Sequence, residues 1–372
     1  MQKNEFRSFA MERWQSIYEN QVEYNLSESG VHPLTLGELR ALSGAADFDQ
    51  TLLGYGQSNG SELLRSRIAA LYPKCATDSI VVTNGSAEAN FIALWVLTRP
   101  DDEVVIIVPT YMQLHGLAQN FGVKVREVWL REEAAWQIDE AELTAAVSER
   151  TRLIVVTNPS NPTGAIMQPD LRQAVVRAAE RVGCWILADE VYSGAELHGP
   201  ETPSFFGDYD RVIATGSLSK AYGLPGVRIG WAAAPPDMAV LLWARKDYMT
   251  ISPGELTDHI AATALAPQVR PGILQRTRSR LQEGWDITRA WLDANGVFTY
   301  HAPAAGAIAY VRYDLPVESA ELAELLRSEY GVLVVPGVHF GMGRYLRLGF
   351  GPPPAQLRAA LARVASALSR LR

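Results

Sequence analysis

The chain has 372 residues, of which 48% are hydrophobic and 20% charged, which is the composition of a globular protein with room for a large domain and a smaller one. A net charge of −7 and the absence of a Lys/Arg cluster argue against nucleic acid as a partner. The N-terminus is charged and the longest apolar runs are strand-sized, so we expect a cytoplasmic protein with neither a signal peptide nor a membrane span. Cys75 and Cys184 lie far apart without metal-ligand spacing, and we expect neither a disulfide nor a metal site.

The first part of the chain, residues 1–40, mixes polar and aromatic side chains without a clear period. We expect it to form an arm that belongs to the small domain and closes over a site or a partner subunit. Helical patterns then occupy 86–98 and 168–182, and short β-rich runs alternate with such patterns. The β-rich runs are 79–83, 103–108, 152–157, 185–189 and 211–215. This alternation predicts a mainly parallel sheet sandwiched by helices.

The C-terminal part has a different pattern. A long charged helix pattern runs from about 270 to 294, and strand, helix, strand and a terminal helix with prolines at its start follow. We therefore expect a large α/β domain over 41–270 and a small α+β domain over 271–372.

Polar, Gly-rich or aromatic segments follow the predicted strands directly: NGSAEA, PTYMQ, NPSNPTG, EVYSG and GSLSK. Ligands of such sheets bind at the carboxyl ends of the strands, so these segments should meet at one rim. They offer an amine, an acid, a phenol, an amide and an aromatic ring, which are Lys220, Asp189, Tyr192, Asn161 and Tyr111. The helix that begins in NGSAEA adds backbone N–H donors for an anion. Together they predict a site for a phosphorylated, aromatic, aldehyde-bearing cofactor, and pyridoxal 5′-phosphate fits each part.

The segment around Lys220 allows two other interpretations. Ser217 and Lys220 form Ser-x-x-Lys, the pattern of a serine hydrolase of the penicillin-binding type. Neither a Ser-Asp-Asn nor a Lys-Thr-Gly tripeptide supports that hypothesis, and no export signal accompanies it. A lysine in a Ser/Gly-rich loop is otherwise most often an exposed surface residue.

Four motifs together point to one family: NPSNPTG, ADEVY, SLSKAYGLPGVRIGW and YLRLGF. In order and spacing the chain resembles, almost end to end, the class I/II aminotransferases, which are pyridoxal-phosphate enzymes of fold type I. The resemblance implies that Lys220 is the Schiff-base lysine and proton shuttle and that Asp189 holds the pyridinium nitrogen. It implies that Tyr192 and Asn161 hydrogen-bond the phenolic oxygen of the cofactor, and that Tyr111 lies over the ring.

The resemblance also implies a phosphate site, a dimer and a carboxylate site. The phosphate would be held by Gly85, Ser86, Ala87, Ser217, Ser219 and Arg228. Tyr55 matches a tyrosine that family members supply to the phosphate of the neighbouring subunit, which implies a homodimer with shared sites. Arg347 matches the arginine that binds the substrate carboxylate through two parallel hydrogen bonds, with Asn161 beside it. Gly30 matches a glycine whose backbone helps to close over that carboxylate.

Two reactions remain open for such an enzyme. After a bond at Cα of an L-amino acid is labilised, transamination gives the 2-oxo acid, whereas a leaving group at Cβ or Cγ leads to elimination, replacement or ring closure. We expect an aminotransferase. The alternative is a lyase or cyclase, because YNLSESGVHPLTLGELRAL, KDYMTISPG and GVLVVPGVHFG resemble a subgroup that includes capreomycidine synthase, which cyclises a hydroxylated arginine.

Three residues outside the main motifs are further candidates. Glu28 is an acid of the arm that either pairs with a cationic substrate side chain, such as a guanidinium, or is a solvated or helix-capping acid. His32 and His339 are either acid/base groups beside the substrate or structural histidines. A cofactor-binding regulator is disfavoured, since no DNA-binding helix-turn-helix segment precedes the fold.

Overall fold

The computed structural model describes residues 6–44 and 46–371. Residues 1–5 of the predicted arm lie outside the described residues. The arm contains α1 (Ala10–Tyr18), the short strand β1 (Tyr24–Asn25) and α2 (Leu36–Leu42), and α3 (Glu62–Ala69) follows. The sequence pattern did not predict α1. The helix has only nine residues, and its buried residues are Met11 and the polar Gln15, so its apolar pattern is too short to stand out in the sequence.

A seven-stranded sheet forms the centre of the molecule, in the order β2-β8-β7-β6-β5-β3-β4. Its strands are β2 (Ile80–Thr83), β3 (Glu103–Val108), β4 (Lys124–Trp129), β5 (Thr151–Thr157), β6 (Trp185–Asp189), β7 (Val212–Ser217) and β8 (Gly230–Ala233). All neighbouring strands are parallel except β8, which runs antiparallel to β2 and β7. The predicted mainly parallel sheet is therefore confirmed. The sequence did not predict β8, whose Gly and Ala residues have low strand propensity.

Helices cover both faces of this sheet. They are α4 (Ser86–Leu97), α5 (Gln113–Asn120), α6 (Glu140–Ala146), α7 (Pro169–Val182), α8 (Pro236–Lys246) and α9 (Glu255–Ala264). Strand β3 shows how the two faces arise: Val105 and Ile107 pack in the core cluster that contains residues of α7, whereas Ile106 packs in the cluster that contains residues of α4. Successive side chains of a strand point to opposite faces, so an all-apolar strand requires helices on both sides.

The C-terminal part begins with α10 (Arg270–Asn295) and ends with α12 (Pro354–Leu371), as predicted. Between them lie β9 (Phe298–Tyr300), β10 (Ile308–Tyr313), α11 (Ser319–Tyr330), β11 (Val332–Leu333), β12 (Val335–Pro336) and β13 (Tyr345–Gly349). Four of these strands form an antiparallel sheet in the order β12-β13-β10-β9, and β11 pairs with β1 of the arm. None of the helices in the described part of the chain has the length and apolarity to cross a bilayer.

Candidate active site

A cavity of about 380 Å³ lies at the carboxyl ends of the central strands, in the size range of small-molecule sites. Most of the predicted site residues line it. They are Glu28, Ser86, Ala87, Tyr111, Asn161, Asp189, Tyr192, Ser217, Ser219, Lys220, Arg228 and Arg347. Because the parallel strands end at one edge of the sheet, residues that are far apart in sequence meet there.

Lys220 follows strand β7, and Asp189 is the last residue of the neighbouring strand β6. The Lys220 Nζ atom lies 3.8 Å from the Glu28 Oε2 atom. Asp189 is only 4% exposed, and burial raises the pKa of its carboxyl group, against the opposing effects of a hydrogen bond from Asn90 and the charge of Lys220. None of the ion pairs within residues 6–44 and 46–371 includes Asp189. A cation placed beside this carboxylate would therefore relieve the cost of burying its charge.

Asn90 orients Asp189 and was not predicted. Its Nδ2 atom donates to Asp189 Oδ2 over 3.0 Å, and its Oδ1 atom accepts from Thr215 Oγ1 over 2.9 Å. Asn90 stands four residues after Ser86, so both lie on one face of α4. The four-residue spacing from Ser86 was the signal in the sequence that could have identified Asn90.

The N-terminus of α4 lies beside Arg228, and together they are suited to binding an anion. Gly85 is the N-cap residue, with φ +83°, and no side chain of the described residues caps the helix, so the first N–H groups of α4 can bind a ligand. The positive φ favours glycine at this position, and a Cβ atom there would also lie 2.4 Å from Arg228 Nη2. Ser217 lines the same cavity, and its Oγ atom accepts a hydrogen bond from the backbone N–H of Ser219 over 3.2 Å.

Arg347 forms the opposite wall from strand β13. It is 1% exposed, its Nη1 atom donates to Asn161 Oδ1 over 2.9 Å, and its Nη2 atom donates to the Ser27 carbonyl. Its buried Nε atom has no hydrogen-bond partner among the described residues. Burial lowers the pKa of Arg347, although nearby acidic groups, including Glu28, favour the charged form. A buried guanidinium with unused donors is suited to binding a carboxylate.

Two tyrosines connect the cavity to the arm. The Tyr111 hydroxyl donates to Glu12 Oε1 over 2.8 Å, and the Tyr192 hydroxyl donates to Ser29 Oγ over 2.8 Å. Phe9 packs edge-on against the Tyr111 ring with centroids 5.0 Å apart. These contacts bring Phe9, Glu12 and Ser29 of the arm to the cavity.

The arm also supplies cavity residues that were not predicted, and no motif marks them: Met11, Glu12, Gln15, Ser16 and Glu19. Gly30 does not line the cavity itself, but a Cβ atom there would lie 3.5 Å from Lys220 Cδ. Tyr55 is 91% exposed and does not reach the cavity of its own chain.

The two histidine candidates differ in position. His32 lies beside an adjoining chamber, and burial together with Arg280 and Arg276 lowers its pKa. Burial and Arg347 lower the pKa of His339 to about 4. His339 does not line the cavity, and its low pKa argues against acid/base catalysis at neutral pH.

Comparison with known proteins identifies the family. Residues 33–364 match the sequence profile of the family described as aminotransferase class I and II. The chain belongs to the class I and II aminotransferase family. It is 35% identical to capreomycidine synthase of Streptomyces vinaceus, over 96% of this chain and 93% of that protein.

Two solved structures of aminotransferase-like enzymes also superimpose on the chain. A PLP-dependent aminotransferase from Streptococcus suis matches with a TM-score of 0.94 and 34% identity, over 99% of each chain. The PLP-dependent cyclase OrfR matches with a TM-score of 0.87 and 27% identity, over 98% of this chain and 96% of that one. The predicted family, fold type I and pyridoxal-phosphate dependence are confirmed.

The residues of the cavity fit the cofactor of the aminotransferase family. The buried Asp189 carboxylate lacks an ion-pair partner within the described ranges and suits a protonated ring nitrogen. The cradle between Gly85 and Arg228, which a Cβ atom would fill, suits a phosphate. Lys220 supplies an amine between them, with a side chain that is 27% exposed.

Proposed function

We propose that this protein is a pyridoxal-phosphate-dependent aminotransferase that acts at Cα of an L-amino acid. The observation that carries the proposal is that Lys220, Asp189 and Arg347 line one cavity. When bound, pyridoxal phosphate supplies an electron sink for the electrons left at Cα. The amine, the acid and the guanidinium of this chain supply the binding and the proton transfer.

In this proposal, residues of the cavity would hold the cofactor at both ends and on one face. The Lys220 amine would bind the aldehyde, and the Asp189 carboxylate would accept a hydrogen bond from the ring nitrogen. Tyr111 would cover the ring, while Asn161 and Tyr192 would bind the phenolic oxygen. The phosphate would be held by Gly85, Ser86, Ala87, Ser217, Ser219 and Arg228.

The substrate is held by its carboxylate. Arg347 binds the two oxygens in parallel, and the hydrogen bond from Arg347 to Asn161 fixes the plane of the guanidinium. The backbone at Gly30, which packs against Lys220, closes over this end of the site. The Lys220 Nζ atom accepts the proton of Cα, because it is the amine that lines the cavity.

A second candidate function is elimination or cyclisation. The Glu28 carboxylate lies 3.8 Å from Lys220 Nζ, and this short distance supports a role for Glu28 as a second acid/base group beside the reacting end of the substrate. A carboxylic acid there can donate a proton to a hydroxyl group that leaves from Cβ. The 35% identity to capreomycidine synthase also favours this candidate.

We further propose that two copies of the chain form the enzyme and that Tyr55 reaches the phosphate of the partner's site. Leu52 and Leu53 are each 85% exposed beside Tyr55, an apolar exposure that is typical of an interface. The pairing of β1 with β11 supports a division into an arm with a C-terminal domain and a large domain over 41–270. A cytoplasmic location stays a prediction.

The attachment to Lys220 tests the proposal. Borohydride treatment of the holoenzyme should add one pyridoxyl group to the peptide that contains Lys220, as measured by mass spectrometry. Lys220→Ala should abolish the adduct and turnover, because no other amine lines the cavity among the described residues. Lys124→Ala, at a side chain that is 55% exposed, is the control and should behave as wild type. An adduct on another lysine, or none, would contradict the proposal.

The products distinguish the two reactions. Transamination releases a 2-oxo acid and leaves the cofactor in its amine form, and both are measurable by chromatography. A cyclic or eliminated product from hydroxyarginine or another side-chain-substituted amino acid, without a 2-oxo acid that retains the side chain, would favour the second candidate.

A further inference from the structure

A second cavity, which we call the rear chamber, lies behind the candidate active site. It has a volume of about 490 Å³ and is bounded by residues 70–73 after α3, by α7, by the loop between β6 and β7 and by the start of α10. Asp189 lines the active-site cavity, whereas Glu190 lines the rear chamber, because successive side chains at the end of β6 point to opposite sides. The rear chamber is therefore a separate space, which adjoins the active-site cavity at Val191 and Ser217.

Glu190 is buried in the wall of the rear chamber and uses one of its two carboxyl oxygens. It is 7% exposed. Its Oε1 atom accepts hydrogen bonds from the Phe205 N–H over 2.8 Å and from the Ser204 hydroxyl over 3.0 Å, and these bonds fix the carboxyl group in place. Its Oε2 atom has no hydrogen-bond partner in the part of the chain that the structure describes. A buried polar atom without a partner is costly, so an occupant that supplies one would be stabilised there.

The other charged side chains that line the rear chamber form two ion pairs. Arg172 of α7 pairs with Asp208. Arg270 of α10 pairs with Glu201, and its Nη1 atom lies 3.0 Å from Glu201 Oε1. Glu190 takes part in none of the ion pairs of residues 6–44 and 46–371. A cation in the chamber would pair with this carboxylate, whereas an anion would face three acidic side chains and two guanidinium groups that are already bound.

Aromatic side chains favour an organic cation over a metal ion. Tyr72, Tyr222 and Trp231 line the rear chamber. Trp231 Nε1 donates to the Tyr72 hydroxyl over 2.7 Å, and a Cβ atom at Gly216 would lie 2.6 Å from the Trp231 ring, so glycine there lets the ring pack against β7. Aromatic rings attract ammonium ions and also provide apolar surface for their carbon atoms. A metal ion is less suited, since the described residues contain no group of three His, Cys, Asp or Glu side chains that could hold one.

We propose that the rear chamber binds a small organic ammonium ion, that the Glu190 carboxylate pairs with it through Oε2, and that the aromatic side chains of the chamber contact its carbon atoms. This site is separate from the one that would hold cofactor and substrate. The inference therefore does not depend on which reaction the enzyme catalyses.

The ionisation of Glu190 makes ammonium binding depend on pH. Burial raises the pKa of Glu190 to about 7, hydrogen bonds and the charge of Arg172 oppose this effect, and the Asp189 carboxylate adds to it. Burial and the nearby Glu190 raise the pKa of Tyr72 well above its ordinary value, so this phenol stays neutral. An ammonium ion pairs with the ionised carboxylate. Its affinity should therefore increase about tenfold from pH 6 to pH 8, as the ionised fraction of Glu190 rises from roughly a tenth to nine-tenths.

Calorimetric titration of the holoenzyme tests the inference. The probes are N,N-dimethyl-2-phenylethylamine, which is a cation at neutral pH, and N,N-dimethyl-2-phenylacetamide, which is neutral and has nearly the same shape. Neither probe can form an imine with an aldehyde. At pH 8, wild type should bind the amine at least about tenfold more tightly than the amide, the strength of a charge-assisted hydrogen bond. Glu190→Gln should reduce this preference about tenfold and remove its pH dependence, while the affinity for the amide stays nearly unchanged.

Two control variants locate the probe. Glu19→Gln, at an acid that lines the active-site cavity, should keep the full preference for the amine. A loss of preference in this variant would place the probe in the active-site cavity and contradict the inference. Glu149→Gln, at an exposed acid, should also keep the preference, which excludes a general effect of net charge.

Melting temperature and cofactor absorbance report the folding of each variant. If Glu190→Gln does not fold, wild type must still bind the amine more tightly as pH rises from 6 to 8, and a preference that does not change with pH contradicts the inference. Equal affinity of wild type for the two probes, or tighter binding of the amide, would overturn it. So would a preference that survives in Glu190→Gln.

Discussion

Among single residues, the two buried charges of the cavity have the clearest consequence for the stability of this protein. Asp189 and Arg347 are 4% and 1% exposed, carry opposite charges and line the same cavity. Neither forms an ion pair in the described part of the chain. An uncompensated buried charge destabilises a fold, so an occupant that brings the complementary charge also stabilises the protein. If Asp189 binds the cofactor and Arg347 the substrate, as proposed, both binding events should stabilise the fold.

Glu190, next to Asp189, provides a pH-dependent prediction. Burial raises the pKa of Glu190 from 4.5 to about 7, against hydrogen bonds from the Phe205 N–H and the Ser204 hydroxyl. Between those two values the folded state binds more protons than the unfolded state, so the contribution of Glu190 to stability falls as pH rises through this window and is constant above it. Glu190→Gln should therefore raise the free energy of unfolding above pH 7, by up to about 3 kcal/mol, and by much less near pH 5.

Thermal unfolding of both proteins across this pH range measures the difference. Glu149→Gln, at an exposed acid, should follow wild type at every pH. A constant difference between Glu190→Gln and wild type from pH 5 to pH 8 would show that Glu190 does not titrate in this window.

At the scale of helices and strands, the geometry at the N-terminus of α4 predicts how one added methyl group changes cofactor binding. Gly85 has φ +83°, and a Cβ atom would lie 2.4 Å from Arg228 Nη2. Gly85→Ala should weaken pyridoxal-phosphate binding at least about tenfold, because the strained backbone and the displaced Arg228 both disturb the anion site. The dissociation constant from absorbance titration is the measurement. Gly116→Ala, on α5 with open space around it, is the matched control and should bind as wild type; equal affinities of the two variants would contradict the assignment.

The arm shows why the sequence did not predict helix α1. Helix α1 is held by contacts that are distant in sequence: Trp14 Nε1 donates to the Val334 carbonyl over 2.9 Å, and Gln15 Nε2 donates to the Ser27 carbonyl over 3.0 Å. Local sequence patterns do not reveal such tertiary contacts, and nine residues are too few for a helical period to stand out. Helix α2 was not predicted either, although it begins with a capping box in which Thr35 and Glu38 bond each other's backbone, a local signal that the sequence offered.

For the whole molecule, the dimer proposal predicts complementation between two defective chains. Tyr55→Phe should weaken cofactor binding about tenfold by removing one hydrogen bond to the phosphate, and Lys220→Ala should abolish turnover. A mixed dimer has one site with a native Lys220 and a native Tyr55 from the other chain. Refolding the two variants together should therefore restore tight cofactor binding and turnover at that site.

The control is Tyr248→Phe, at another tyrosine that is 83% exposed, which should bind the cofactor as wild type. Absence of rescue in mixtures that contain hybrid dimers, as separated by a charge tag, would show that Tyr55 does not serve the neighbouring site.

The sequence by itself determined the family, the fold type and the cofactor, and it predicted most of the residues that line the cavity. It could do so because strands of a parallel sheet end at one edge, and short motifs such as NPSNPTG and SLSKAYG follow those ends directly. Only the tertiary structure decided that Glu12 and Glu19 of the arm face Lys220, since α1 reaches the cavity by packing on β12. That contact depends on long-range packing between segments with no shared local pattern, and the charge it brings to the site cannot be deduced from either segment alone.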